Sequence, residues 1–171
     1  MSIVHYPLST DKVFDLVIIG AGPAGIAAAW EAKKAGLDYV VIEKGLIGNT
    51  IYNYPVGLTV FSTVNELELN EGELKPAREK PTREELLSYY VRFVLDSQLN
   101  VRTEETVLDV RKEEFPAKTQ RSKEEDSNLF KVVTDKGEYR TRNVLFAIGA
   151  MDHPRKLNVP GEDLPKVYDH F

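Results

Sequence analysis

Three glycines with the spacing G-x-G-x-x-G are the residues of this chain whose types and positions most directly indicate chemistry. They are Gly20, Gly22 and Gly25, and they lie between an apolar run, VFDLVIIG, and a run of helical composition, IAAAWEAKKAG. In such a turn the first glycine allows a sharp bend, the second lets the backbone approach a pyrophosphate, and the third lets the helix pack against the sheet. The helix N-terminus adds free N–H groups and a positive dipole end. The turn therefore predicts a dinucleotide site.

An acidic residue follows this turn at the distance typical of dinucleotide-binding units. Glu43 lies 23 positions after Gly20, at the end of a second apolar run, LDYVVIEK. Its carboxylate can accept hydrogen bonds from ribose hydroxyls, and its charge would repel a 2′-phosphate. Glycines also cluster in ordinary strand-to-helix turns, so the motif alone would be weak evidence. Because strand, turn, helix, second strand and acid agree, we interpret residues 13–44 as a dinucleotide-binding unit, in which Glu43 suits the adenosine ribose of either FAD or NAD.

Two helices are expected to support this unit. Gly36 is placed to end the first, since glycine is the preferred residue just beyond a helix C-terminus. The second begins at Thr82, where Thr82 and Glu85 form a capping box. This helix has an apolar stripe, which we assign to core packing. The stripe consists of Leu86, Leu87, Tyr90, Val91 and Val94.

Apolar and alternating runs predict five further strands. They are expected at residues 100–102, 106–111, 129–134, 138–141 and 143–149. The first and the last are interpreted as parallel strands, the last as fully buried. The middle three are interpreted as an antiparallel β-meander over about residues 104–142.

The remaining segments are irregular in pattern. Residues 45–58 are rich in Gly, Asn and Pro and predict a long functional loop. Residues 58–63 form a short β-rich stretch, and the polar residues 65–80 are left unassigned. Residues 112–128 mix charges with Ser, Gln and Pro, which favours an exposed hairpin loop over a docking site. Residues 151–171 are interpreted as a linker.

Composition limits the classes of protein that fit. The chain has 171 residues, 42% hydrophobic and 29% charged, which is typical of one soluble domain. The apolar runs are too short for a membrane span or a secretory signal. No cysteine is present, so no disulfide forms within the chain, and the net charge of −5 argues against nucleic-acid binding. A cytoplasmic protein without a metal site is expected.

The order of these features resembles the FAD-binding part of the thioredoxin-reductase-like pyridine nucleotide-disulfide oxidoreductases. Within that group the chain is similar to the bacillithiol-disulfide reductases often called the YpdA family. The matching motifs are IEKG at 42–45, IYNYP at 51–55, FST at 61–63, KPTR at 80–83 and VPGEDLPKV at 159–167. The resemblance covers nearly the whole chain. It implies an α/β fold: a Rossmann-like, three-layer FAD/NAD(P)-binding domain with a parallel sheet and an inserted antiparallel β-meander, apparently truncated, over residues 1–150.

The resemblance also implies which residues hold FAD. Gly20, Gly22, Pro23 and Ala24, with Gly25 behind them, would surround the pyrophosphate, Glu43 the ribose, and Lys44 and the Val107 backbone the adenine. Asn49 and Asn53 would lie in the loop that approaches the flavin, although both also suit turn chemistry. Ala147 and Gly149 would close over the cofactor, and Ile148 replaces the usual threonine between them.

The chain departs from these relatives in its cysteines and in its extent. Ala24 stands where the family often has cysteine, and the C-x-x-C of thioredoxin reductases is absent, so electrons would have to leave the flavin directly. No second glycine-rich turn for NAD(P)H follows. We therefore expect the N-terminal part of a longer enzyme, with exposed apolar surface and self-association, or a partner that carries the NAD(P)H-binding domain.

These observations leave several functions open. The first is an FAD-dependent NAD(P)H oxidoreductase that reduces a low-molecular-weight disulfide or a similar acceptor. The alternatives are a non-catalytic FAD- or NAD-binding module, a subunit of a split enzyme, and a flavin monooxygenase. No catalytic residue can be named, because His5, His153 and His170 all lie in irregular segments where a solvated surface histidine is the preferred interpretation.

Overall fold

Six strands and four helices are present in the computed structural model, which describes residues 12–113, 129–150, 156–165 and 167. The order is β1 (Val13–Ile19), α1 (Pro23–Lys34), β2 (Tyr39–Ile42), α2 (Asn49–Tyr52), α3 (Val64–Leu67), α4 (Arg83–Asp96), β3 (Val101–Arg102), β4 (Val107–Lys112), β5 (Phe130–Thr134) and β6 (Glu138–Phe146). The predicted loop over residues 112–128 falls almost wholly outside the described residues, as do all three histidines.

The strands form one mixed sheet in the order β3-β2-β1-β6-β5-β4. β1 pairs in parallel with β2 and β6, and β2 pairs in parallel with β3, so the carboxyl ends of β1, β2 and β6 meet at one edge. β4, β5 and the start of β6 pair antiparallel and form the predicted meander. The predicted α/β class, with a parallel sheet and an antiparallel meander, is confirmed.

The last parallel strand corrects one expectation. Residues 138–141 and 143–149 were expected as separate strands, yet β6 runs unbroken from Glu138 to Phe146 and pairs with both β5 and β1. No glycine or proline interrupts this segment, so the chain has no local reason to turn. The strand is also not fully buried, because Leu145 and Phe146 are 39% and 62% exposed.

The parallel sheet is covered on both faces, which gives three layers. Successive residues of a strand point to opposite faces. Ile18 accordingly packs with the α1 and α4 side chains Ile26 and Leu86, while Val17 packs with Val132 and Tyr139 of the meander. Side chains buried on both faces explain why β2 is a continuous apolar run, all four of whose residues are buried.

The helices agree with their sequence signals. Thr82 is the N-cap of α4: its backbone N–H donates to Glu85 Oε2 at 2.8 Å, and Glu85 N–H donates to Thr82 Oγ1 at 3.3 Å. Gly36 follows α1 with a φ of +71°, the left-handed conformation that favours glycine.

The segment between β2 and α4 differs from expectation. Residues 45–58 contain the short helix α2, and the unassigned polar segment overlaps the short helix α3. The β-rich stretch at 58–63 is not a strand, because only Thr59 makes a β-bridge, with Thr82. Its neighbouring backbone groups bond to the start of α4 instead of to the sheet.

Candidate functional site

A cleft of about 1200 Å³ opens at the carboxyl ends of the parallel strands. This edge is where open α/β sheets bind their ligands, because loops diverge there and helix N-termini point inward. The glycine-rich turn, the end of β2, the start of β4 and the residues after β6 border the cleft. The loop after α2 supplies the remaining wall.

The three glycines of the turn have different surroundings. A Cβ on Gly20 would lie 2.3 Å from the Ala147 carbonyl oxygen, and a Cβ on Gly25 would lie 1.9 Å from the Gly20 carbonyl oxygen. Both positions therefore require glycine for packing. A Cβ on Gly22 would meet nothing within 4 Å. Only Gly22 leaves free space facing the cleft, and this space is available to a ligand.

The N-terminus of α1 points into this space without a protein partner. Gly22 is its N-cap, Pro23 occupies the first turn, and no side chain caps the helix or places an acid in its first turn. The first backbone N–H groups of a helix have no intrahelical acceptor. With the helix dipole they favour an anion such as a pyrophosphate.

Glu43 is buried, at 7% exposure, beside this turn. Its two carboxylate oxygens accept backbone N–H groups from opposite directions: Ala21 N–H donates to Oε2 at 2.7 Å, and Gly45 N–H donates to Oε1 at 2.8 Å. The carboxylate therefore fastens the end of β2 to the glycine-rich turn. Each oxygen retains acceptor capacity for a ligand hydroxyl.

A second buried acid, Glu105, lies at the same end of the cleft. It is 2% exposed, and its Oε1 accepts hydrogen bonds from Thr134 Oγ1 at 2.7 Å and Tyr139 Oη at 2.8 Å. Its backbone N–H donates to the Glu43 carbonyl at 3.0 Å. Burial, and then the hydrogen bond to Glu105, raise the pKa of Tyr139. Through these hydrogen bonds Glu105 connects the meander to the end of β2.

The loop around α2 forms the opposite side. Gly48, at a φ of +66°, donates its N–H to the Ala21 carbonyl at 2.9 Å and so holds α2 against the glycine-rich turn. Asn49 lines the cleft, and its Oδ1 accepts the Leu46 N–H at 3.3 Å, which is a turn-stabilising contact. Asn53 is the exposed C-cap of α2. Neither Asn49 nor Asn53 has a positive φ, the left-handed conformation in which asparagine is often found in turns.

Ten of the twelve predicted site residues border the cleft: Gly20, Gly22, Pro23, Ala24, Glu43, Lys44, Asn49, Val107, Ala147 and Gly149. Gly25 and Asn53 do not. Sequence reasoning missed several lining residues, namely Thr50, Tyr54, Phe61, Ser62, Glu105 and Phe146. The FST motif contained a signal for Phe61 and Ser62, but the sequence pattern gave no sign of Glu105.

Among residues 12–113, 129–150 and 156–165, no three or more acidic side chains or histidines come together as metal ligands would. No helix in the described part of the chain is both long and apolar enough to cross a membrane.

The fold and the cleft are those of the dinucleotide-binding class, and comparison with known proteins identifies the family. The sequence model of the pyridine nucleotide-disulphide oxidoreductase family matches residues 17–171, and this chain belongs to that family. Bacilliredoxin reductase Bdr of Bacillus subtilis (strain 168) is 39% identical over 155 residues, which are 91% of this chain and 44% of that protein.

Solved structures agree with this assignment. Bacillithiol disulfide reductase Bdr (YpdA) from Staphylococcus aureus superposes with a TM-score of 0.80 at 34% identity, over 94% of this chain and 46% of that chain. A flavin-containing monooxygenase from Stenotrophomonas maltophilia has a TM-score of 0.68 at 22% identity, over 84% of this chain and 41% of that one, and shows the shared fold alone.

The expected resemblance to thioredoxin-reductase-like and YpdA-type reductases is confirmed by these relatives. The family consists of FAD-dependent oxidoreductases, so an oxidoreductase and the FAD cofactor are confirmed at the level of the family. The chain spans less than half the length of the relatives described above.

Proposed function

We propose that this chain is the FAD-binding part of an FAD-dependent NAD(P)H oxidoreductase of the disulfide-reductase type. In this proposal residues 1–150 form the FAD-binding domain and residues 151–171 lead toward an NAD(P)H-binding domain. The observation that carries the proposal is the empty space at Gly22 in front of the uncapped N-terminus of α1. A backbone pocket with unpaired N–H groups and no acid in the first turn fits a pyrophosphate.

The side chains around this pocket fit the rest of FAD. Glu43 is held by two backbone N–H groups and can accept ribose hydroxyls, while Val107 and Lys44 line the cleft and would contact the adenine. Asn49 lines the cleft and would lie toward the flavin, and Ala147 and Gly149 would close over the cofactor. Asn53, which does not line the cleft, would act only through the position of α2. Gly25 would act through close packing of α1.

The proposed reaction is the reduction of a low-molecular-weight disulfide or a similar acceptor. When bound, FAD supplies the group that accepts a hydride from a nicotinamide nucleotide and passes two electrons to the acceptor. The protein orients the cofactor through the glycine-rich turn and Glu43. These 171 residues contain no cysteine, so none of them supplies a thiol to the transfer.

The acceptor is suggested by the relatives, one of which is named a bacilliredoxin reductase and another a bacillithiol disulfide reductase. The NAD(P)H-binding domain would come from further residues of the same protein or from a partner. A cytoplasmic location is part of the proposal, since the cytoplasm is the compartment in which thiols are kept reduced.

The test is the visible absorbance of the purified chain, with mass spectrometry of any small molecule that heat releases. We expect FAD, either as purified or after reconstitution. Glu43→Arg should weaken FAD retention, because it removes the acceptor of the Ala21 N–H and reverses the charge at the ribose side. Glu71→Arg, the same charge change at an exposed turn, is the control. Failure of the wild-type chain to take up FAD would refute the proposal.

A further inference from the structure

The cleft has one wall made of irregular chain, whose shape no sheet or long helix fixes. Residues 52–62, named here the wall loop, begin at the last residue of α2, and Tyr54, Leu58, Val60, Phe61 and Ser62 of this loop line the cleft. The loop also exposes apolar side chains, since Val56 and Phe61 are each 86% exposed. A loop with so few packed side chains needs other contacts to hold a defined position.

Backbone hydrogen bonds join the wall loop to the start of α4. Arg83 N–H donates to the Leu58 carbonyl at 2.7 Å, and Val60 N–H donates to the Pro81 carbonyl at 2.9 Å. These bonds hold the middle of the loop at the bridge between Thr59 and Thr82. The earlier part of the loop has local backbone bonds, such as that from Tyr54 N–H to the Ile51 carbonyl at 3.1 Å, and side chains connect it to α4.

Two adjacent side chains of α4, Arg83 and Glu84, form hydrogen bonds with this part of the wall loop. The guanidinium of Arg83 donates twice to the Tyr52 carbonyl, from Nε at 3.2 Å and from a terminal nitrogen, and lies 5.5 Å from the Tyr52 ring centroid. The carboxylate of Glu84 accepts the Gly57 N–H, with both oxygens at 3.2 Å. Arg83 Nη1 and Glu84 Oε1 are joined at 2.9 Å. We name this pair the clamp.

The clamp is not needed to cap α4. That function belongs to Thr82 and Glu85, which satisfy each other's groups in the capping box. The Arg83 side chain is nevertheless only 14% exposed, and its planar fork matches two hydrogen bonds to one acceptor. The Arg83 hydrogen bond, a backbone N–H and the Gly57 N–H lower the pKa of Glu84. The clamp's contacts are therefore directed at the wall loop.

We propose that Arg83 and Glu84 are positioning residues that set the shape of the wall loop, and with it the fit of the cleft to the flavin end of FAD. This rests on the proposed function. In the proposed function the glycine-rich turn and Glu43 hold the adenosine and pyrophosphate. The clamp bonds to neither of them directly and is connected to the turn through α2, whose N-cap Gly48 donates its N–H to the Ala21 carbonyl. Loss of the clamp should therefore affect the flavin end of the ligand and leave the adenosine end unchanged.

The experiment compares the affinities of FAD and ADP for the full chain. Arg83→Met keeps an unbranched apolar stem and removes the guanidinium with its hydrogen bonds; Arg92→Met, at an exposed position of the same helix, is the control. We expect Arg83→Met to weaken FAD binding about tenfold, the size of one lost charge-assisted hydrogen bond, with ADP binding unchanged.

Glu84→Gln is the second variant, for use if Arg83→Met does not fold. It keeps an acceptor for the Gly57 N–H but removes the charge, so a smaller loss of FAD affinity is expected, again without a change for ADP. Equal weakening of FAD and ADP would show a general structural effect and overturn the proposal, as would unchanged FAD binding in a folded variant. If the wild-type chain binds ADP but not FAD, the proposed function fails, and the role of the clamp fails with it.

Discussion

The carboxylate of Glu43 accepts the backbone N–H of Ala21 at 2.7 Å and so connects two residues 22 positions apart. Its other oxygen accepts the Gly45 N–H at 2.8 Å. The acid at the end of β2 is thus oriented by the protein before any ligand binds. An acceptor that is already fixed loses little side-chain freedom when a ribose hydroxyl donates to it, which favours tight binding.

Replacing this acid by its amide tests both of its contacts. Glu43→Gln converts one acceptor into a donor that faces a backbone N–H, so one buried N–H loses its partner. We expect the free energy of unfolding to fall by roughly 1–3 kcal/mol, and ADP affinity to fall as well. Urea denaturation and calorimetric titration measure the two effects, with Glu71→Gln as an exposed control. Wild-type stability in Glu43→Gln would mean that the lost hydrogen bond contributes nothing net.

Two glycines of the same turn should respond in opposite ways. Gly22 has a φ of −77° and open space around its Cβ position, so Gly22→Ser should keep or slightly raise stability, because serine is a good N-cap. The new side chain fills the space proposed for the pyrophosphate, and FAD affinity should be lost.

Gly25→Ala should instead destabilise the protein by about 3 kcal/mol, since its Cβ would overlap the Gly20 carbonyl oxygen. Thermal unfolding separates the two variants. A Gly22→Ser protein that binds FAD as the wild type does would move the proposed pyrophosphate site elsewhere.

Local signals explain what the sequence could predict. The glycine-rich turn, the capping box at Thr82 and the end of α1 at Gly36 depend on residues within a few positions of one another, and the structure contains all three. Ten cleft residues were found in the same way, or through motifs shared with a known family.

Contacts between distant residues explain the errors. Glu105 is recognisable as a buried acid only when Thr134 and Tyr139, 29 and 34 positions away, are brought to it. Strand β6 was divided in two because its pattern changes where its partner changes from β5 to β1, which is a property of the sheet and not of the segment. The clamp on the wall loop likewise joins Arg83 to Tyr52, 31 positions earlier.

Removing the Tyr139 hydroxyl tests the buried group around Glu105. In Tyr139→Phe the carboxylate retains the Thr134 hydroxyl but loses a 2.8 Å hydrogen bond at a site that is 2% exposed. We expect a loss of about 1–3 kcal/mol in the free energy of unfolding, because the buried acceptor is left less satisfied. Tyr52→Phe, at a residue 47% exposed, should change stability by less than about 0.5 kcal/mol. Equal effects of the two substitutions would contradict a stabilising role for the bond to Glu105.

Low pH should lower the free energy of unfolding partly by protonating the carboxylates that cap two helices. Backbone and side-chain hydrogen bonds from Thr82, together with the Ala77 N–H, lower the pKa of Glu85, and Thr63 lowers the pKa of Glu66 in the same way. A carboxylate whose pKa is lower in the folded than in the unfolded state stabilises the fold above its unfolded pKa, 4.5, and this contribution is lost as the pH falls through the folded pKa.

We therefore expect the free energy of unfolding to decrease as the pH falls below about 5. In Glu85→Gln this decrease should be smaller, because the glutamine side chain does not bind a proton in this pH range. Urea denaturation at a series of pH values measures the slope. Ser88→Ala, on the exposed side of the same helix, should leave the slope unchanged. The slope of the free energy of unfolding against pH depends on how many more protons the unfolded state binds than the folded state. A Glu85→Gln protein with the wild-type slope would therefore show that the capping carboxylate does not contribute to the acid dependence.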